Sequence, residues 1–231
     1  MQKEVRINSL FGETIYHTNI KNNQKINNKI TPHIESFVKA SPGSTAATTD
    51  VKGNTLFTDL ETAKDNLHTD NKYKDLFKEI ANHVTDFLKT KGYDQDKFDA
   101  HITKAWATYT IKDQHIASHK HTASHFSMVY YVRNDEMGNI KFEKELAQQT
   151  GLFIPPTGDY ISNWNQLNFA SYIYPVKTGD LLIFPSGLLH QTEINTKDEA
   201  RISISGDILL TMKEGIKTEH CIPHPKGWRT L

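Results

Sequence analysis

Four histidines, His115, His119, His121 and His125, fall within the twelve residues HIASHKHTASHF, in a chain that carries 12 histidines among 231 residues. Neutral imidazole is a common ligand for divalent metals. His119 and His121 are two residues apart, so on a strand both rings leave the same face, roughly 6.5 Å apart. Both can then lean toward one ion at a bond length near ~2.1 Å. A polar strand edge with solvated rings has the same spacing, so the pair alone leaves both readings open. A third candidate ligand lies far downstream in KTGDLLIFPSGLLHQTEI. There a turn at Gly179 launches the apolar run Leu181 to Phe184, Pro185 ends it, and His190 follows on the next strand. A core histidine bonded to main chain is the plainer alternative for His190.

Eleven residues beyond His190 stands Arg201, in ARISIS. Arg201, Ser203 and Ser205 alternate with Ile202 and Ile204, which predicts one polar and one apolar face. A guanidinium on an inward face needs an anionic partner, because an unpaired buried charge is expensive. Its planar fork matches a carboxylate with two parallel hydrogen bonds. An ion pair with a nearby acid such as Asp207 would satisfy it as well.

These residues need a scaffold. After Asp99 the chain breaks into short β-branched or aromatic runs, AWATYTI, FSMVYYV, NIKFE, FASYIYPV, DLLIFP, LHQTEI and ARISISGDILL, separated by turn residues. Many short strands predict a β-sandwich or barrel. Upstream, EVRINSLF and ETIYHTNI read as short strands about a Gly12 turn. Ile26, Ile30, Ile34 and Phe37 mark one face of a helix over 25–39, with Pro32 as a possible restart. Tyr73, Leu76, Phe77, Ile80, Val84 and Phe87 mark a second helix that Gly92 stops. SPGSTAATTDVKGN reads as a loop. The expected architecture is mainly β with N-terminal helices: one domain over 1–231, with strands and a helical support layer in 1–99, a β core in 100–212 and a tail in 213–231. The irregular aromatic stretch 144–167 is the natural place for substrate contacts.

Composition narrows the partners. Lys plus Arg and Asp plus Glu balance at 27 each, which argues against nucleic acid or an acidic membrane surface as the partner. The single cysteine, Cys221, excludes an internal disulfide framework and fits a reducing compartment. No apolar run approaches the ~20 residues of a membrane span, and the start MQKEVRINSLFGETIY lacks the pattern of a secretion signal. A cytoplasmic protein is the expectation.

Taken together, HKHT followed by FSMVYYV, then PVKTGDLLIFPSGLLH and RISIS, resembles the Fe(II)/2-oxoglutarate-dependent dioxygenase superfamily. The match is nearest to a group of 2-oxoglutarate/Fe(II) oxygenases of bacteria and phages, and it covers roughly residues 105–210. SLFGETIYHTNI also looks like that group's opening strand pair. The resemblance implies a double-stranded β-helix (jelly roll). It implies His119, His121 and His190 on Fe(II), and 2-oxoglutarate chelating the ion with its far carboxylate on Arg201, helped by Ser203 and Tyr109. O2 would then be used to hydroxylate a substrate, with release of succinate and CO2 and with ascorbate as a stimulant. Likeness to prolyl-hydroxylase-like members suggests a peptide or protein proline as substrate, with a small molecule as the alternative and Tyr131, Asn163 and Trp164 as candidate contacts.

The sequence departs from the family pattern in one respect that matters. The usual ligand set is two histidines and a carboxylate, and His121 occupies the carboxylate position; His125 and Glu143 stand as reserve ligands. Thr122 and Met128 replace a common proline and glycine. Two other readings compete. A cupin-type metalloprotein would use Gly179, Pro185, Gly187 and His190 but give Arg201 no task. A jelly-roll binding module would lack turnover altogether.

Overall fold

The computed structural model describes residues 12–40, 56–57, 66–144, 161–165 and 168–230. Strand β1 (Tyr16–Asn19) leads into helix α1 (Asn23–Ala40), and β2 (Leu56–Phe57) precedes helix α2 (Lys74–Thr90). Seven further strands follow: β3 (Phe98–Thr110), β4 (Phe126–Arg133), β5 (Ile140–Glu143), β6 (Ser171–Tyr174), β7 (Asp180–Pro185), β8 (Leu189–Thr192) and β9 (Arg201–Met212). The large sheet has the order β1-β7-β4-β9-β3-β2 and the small one β6-β5-β8. All pairings are antiparallel. Two facing sheets of this order form the expected jelly roll. The predicted strand EVRINSLF, the loop SPGSTAATTDVKGN and most of 144–167 lie outside the described residues.

Strand alternation separates two cores. On β9, Ile202, Ile204 and Ile208 turn outward to a layer built with Met128 and Tyr130 of β4, Leu181 and Ile183 of β7, and the helices. α1 docks there through Ile26, Ile30 and Ile34, and α2 through Leu76, Ile80, Val84 and Phe87, as the helical spacing predicts. Asn27 fastens α1 to the sheet by donating to the Val132 carbonyl at 2.8 Å while accepting from Tyr130 Oη at 2.7 Å. α1 runs through Pro32, an exposed residue, without restarting. α2 ends as expected: Gly92 takes φ +81°, Gly92 N donates to Lys89 O and Tyr93 N to Leu88 O. Between the sheets lies a second, smaller core of Val129, Tyr131, Ile140, Phe142, Leu182 and Phe184. Of the large sheet, only β4 and β7 contribute to it. The inner face of β9 carries Arg201, Ser203, Ser205 and Asp207, all buried, and this polar column is where the site is built. Among the described residues no helix is long and apolar enough to cross a membrane.

Candidate metal centre and anion pocket

The three histidines meet. His119, His121 and His190 each offer a ring nitrogen, and these atoms lie within 4.8 Å of one another. His119 and His121 do not sit on a long strand as the spacing suggested. They lie on an irregular segment before β4, which meets β8 through an isolated bridge in which His119 and His190 exchange main-chain hydrogen bonds at 2.9 Å, and through hydrogen bonds between Ile116 and Thr192. His121 N donates to the Ser186 carbonyl at 2.9 Å, fixing the second ring beside the turn that follows β7. Two distant pieces of sequence are thereby stitched together by backbone before any ion is considered.

The tautomers follow from the partners. His119 Nδ1 lies 2.8 Å from the Ala117 carbonyl and His190 Nδ1 2.8 Å from the Leu188 carbonyl. A carbonyl only accepts, so each Nδ1 carries the proton and each Nε2 presents a lone pair. His121 Nδ1 faces Asp207 Oδ1 at 2.5 Å, which leaves the same nitrogen free. His119 Nε2 and His121 Nε2 then stand 3.3 Å apart. Two lone pairs at that distance repel unless a positive charge, an ion or a proton, lies between them. Burial lowers the pKa of His119, only partly offset by the Ala117 carbonyl, and burial together with the neighbouring His119 pushes His190 down to about 3. The His119 and His190 rings are therefore neutral donors at neutral pH, as metal ligands must be.

The far end of the polar column is built for an anion. Arg201 is 2 % exposed. Its Nη1 donates to the Met137 and Glu193 carbonyls at 3.0 Å each and its Nη2 to Thr192 Oγ1 at 2.7 Å. No carboxylate pairs with it among the described residues: Asp207, considered from sequence, is turned to His121 and to Lys104 Nζ at 3.4 Å, and Glu193 Oε2 accepts from Asn139. Burial pulls the guanidinium pKa down, countered by Tyr131 and Glu193. Two buried hydroxyls nearby, Tyr131 Oη and Thr110 Oγ1, have no hydrogen-bond partner among the described residues. Thr110 is directly opposite Arg201 across β3 and β9, and Tyr131 is opposite Ser203 across β4 and β9. Burial raises the Tyr131 phenol, so it remains a donor. A buried cation without a carboxylate, ringed by orphaned hydroxyls, is the donor set a ligand carboxylate would complete. His190 and Thr192 share a face of β8, so the guanidinium side of the pocket lies roughly 7 Å along that strand from the histidines. That span suits a five-carbon diacid reaching from one to the other.

Several expected site residues are placed differently. Tyr109 is opposite Ile202 and packs into the helix-side core. It cannot help Arg201, because alternation along β3 turns Thr108 and Thr110 inward instead. Thr108 Oγ1 is 2.5 Å from Ser203 Oγ, which places Ser203 on the inner face as expected. Tyr131, expected as a substrate contact, is 2 % exposed and belongs to the anion pocket. Asn163 and Trp164 are exposed in the segment before β6, and no hydrogen bond or ring contact joins either to the histidines among the described residues. The reserve ligands are occupied elsewhere. His125 Nδ1 accepts from Leu210 N at 3.1 Å. Glu143 accepts from Ser118, Gln191 and Lys141, bracing the segment that carries His119. Sequence reasoning missed Thr110, Ser127, Trp106 and Gly138. Trp106 stacks obliquely 5.5 Å from the His121 ring, and Ser127 Oγ is 2.9 Å from His121 Nδ1. A Cβ on Gly138, at φ +102°, would stand 2.8 Å from Arg201 Nη1. A cavity of about 1070 Å³ opens at the Arg201 end of the small sheet, lined by His115, Lys141, Ile173, Thr192 and Glu193. It does not open over the histidines.

Residues 104–207 match the family described as "Putative 2OG-Fe(II) oxygenase". No curated protein matches the chain. Among solved structures, the epimerase SnoN in complex with Fe3+, alpha ketoglutarate and nogalamycin RO is 13% identical with a TM-score of 0.55, covering 92% of this chain and 91% of that one. A Pseudomonas putida prolyl-4-hydroxylase is 10% identical with a TM-score of 0.52, covering 85% of this chain and 92% of its own. HygX from Streptomyces hygroscopicus, with nickel and 2-oxoglutarate bound, is 10% identical with a TM-score of 0.51, covering 84% and 81%. At such identities the likeness is one of fold.

Proposed function

We propose that this chain, whose residues 104–207 match the 2OG-Fe(II) oxygenase family, is an oxygenase in which His119, His121 and His190 hold Fe(II) and Arg201 holds the far carboxylate of 2-oxoglutarate. The observation that carries the proposal is the pairing of two incomplete donor sets on one inner face. Three converging Nε2 lone pairs stand at one end, and at the other a buried guanidinium lies among the unpartnered hydroxyls of Tyr131 and Thr110. When bound, Fe(II), 2-oxoglutarate and O2 supply oxidative decarboxylation to succinate and CO2, coupled to hydroxylation of a substrate C–H.

This chain's residues do the rest. The Ala117 and Leu188 carbonyls and the Asp207 carboxylate keep the three rings in the ligating tautomer. Arg201, steadied by Met137, Glu193 and Thr192, carries its charge and unused N–H groups between the sheets, where the apolar cluster of Val129, Phe142, Leu182 and Phe184 would strengthen the pairing. Tyr131 and Thr110 donate to the same carboxylate. A cupin-type metalloprotein would leave Arg201, Tyr131 and Thr110 without a task. For the substrate, the likeness to the Pseudomonas putida prolyl-4-hydroxylase supports a peptide or protein, with hydroxylation as the outcome. The decisive experiment is an anaerobic soak or titration with Fe(II) and 2-oxoglutarate followed by succinate measurement in air. Iron binding with 2-oxoglutarate-dependent succinate release is expected. A protein that binds iron but neither binds 2-oxoglutarate nor forms succinate would sink the assignment.

A further inference from the structure

The non-haem Fe(II) ligand set of this superfamily carries one carboxylate; position 121 lacks it, yet a carboxylate stands one ring behind. Asp207 is 2 % exposed on the inner face of β9, with Oδ1 2.5 Å from His121 Nδ1. His121 differs in this from the other two rings, whose Nδ1 atoms are turned to neutral main-chain carbonyls. The strand register makes the contact specific. Asp207 lies opposite Ser127 on β4 and Lys104 on β3. Ser127 Oγ reaches both His121 Nδ1 at 2.9 Å and Asp207 Oδ1 at 3.5 Å, and passes the chain on to Ser186 Oγ at 3.0 Å. Lys104 Nζ meets Asp207 Oδ2 at 3.4 Å, but its side chain is 49% exposed, so water screens its charge while that of Asp207 acts through a buried ring. A carboxylate on the remote nitrogen of a ligating histidine fixes the ring and makes it a stronger donor.

We infer that Asp207 is a positioning residue of the metal centre: it holds His121 with Nε2 turned to the ion and supplies, from behind the ring, the negative charge that a carboxylate ligand supplies directly. The inference rests on the proposed assignment of the three histidines as the metal set. Its test is metal binding to the full chain, with Fe(II) and Co(II) affinities read under nitrogen against a chromogenic chelator and the Co(II) site read by its visible spectrum. Asp207→Asn keeps size and an acceptor oxygen but removes the charge; it should bind Co(II) 10- to 100-fold more weakly with an altered spectrum. Moving the charge into the ligand position, in His121→Asp/Asp207→Asn, should recover at least tenfold of that loss. A residue that only braced the sheet would show additive losses instead.

Lys104→Gln breaks the ion pair without touching the ring, and should stay within threefold of the wild type. Asp207→Asn within threefold of the wild type, a double variant no better than the single one, or a Lys104→Gln loss equal to that of Asp207→Asn would each overturn the inference. Should Asp207→Asn fail to fold, by circular dichroism in chelator, the double variant decides alone: affinity within tenfold of the wild type supports the inference and a hundredfold loss overturns it. If His190→Ala binds Co(II) as well as the wild type, the histidine assignment itself fails. If it does not, the Asp207 variants judge the inference separately.

Discussion

Removing the Arg201 guanidinium should separate the two halves of the site. Of its five N–H groups, three are given to Met137, Glu193 and Thr192, leaving two for a ligand. A hydrogen bond to a charged group contributes about 1.5–3 kcal/mol, so losing both weakens 2-oxoglutarate binding by about 3–6 kcal/mol, or roughly 10²- to 10⁴-fold. The assay is thermal unfolding under nitrogen with Fe(II), with and without 2-oxoglutarate. At a hundred times the dissociation constant the ligand stabilises the wild type by about 2.7 kcal/mol, and for a chain of this length that is a Tm rise of roughly 5–11 °C. At the same concentration Arg201→Ala sits below its new dissociation constant, and the 2-oxoglutarate shift should vanish. The shift caused by Fe(II) alone should persist, because no ring of the histidine cluster contacts Arg201. Arg201→Lys, which keeps charge without the fork, should fall between. An unchanged 2-oxoglutarate shift in Arg201→Ala would falsify the role given to this residue.

Three further outcomes follow from the same geometry. His190→Ala should abolish tight Fe(II) binding and succinate formation; equilibrium dialysis with bound iron equal to the wild type would contradict it. Gly138→Ala should raise the 2-oxoglutarate concentration needed for half-maximal succinate release about tenfold or more while leaving Co(II) affinity within threefold, since the new methyl collides with Arg201 Nη1 and the Glu193 carbonyl at 3.1 Å. In metal-free protein, stability should fall as the pH drops below about 6.5. His119 and His190 have folded pKa values lowered by burial, so the unfolded chain binds more protons and stability is lost toward acid, by about 1.4 kcal/mol per ring per pH unit. Urea midpoints that stay level between pH 7 and 5 would show that neither ring is desolvated.

Much of the site was legible because it is carried by spacing. A histidine pair two residues apart, a histidine after an apolar strand and turn, and an arginine alternating with isoleucines all name their roles by position along the chain. The residues misplaced from sequence show where that ends. Tyr109 and Thr110 are neighbours, and one-dimensional pattern does not say which of the two β3 faces looks inward; the pairing with β9, Tyr109 to Ile202 and Thr110 to Arg201, decides it. Tyr131 reads equally well as a substrate contact and as a pocket wall until its hydroxyl is found buried without a partner beside Arg201. Gly138 and Ser127 carry no sequence signal at all, since their importance is a distance to a residue far away in the chain.

By itself the chain determined a fold of many short strands backed by helices, and residues whose chemistry suits a metal and an acid, because periodicity of apolar side chains and side-chain chemistry are local properties. Only the tertiary structure decided that Asp207 faces His121 rather than Arg201, that the guanidinium pairs with no carboxylate among the described residues, and that Thr110 and Tyr131 stand on the strands beside it. Those facts depend on strand register, where a shift of one residue turns every side chain to the opposite face, and register is set by how the sheets close on one another.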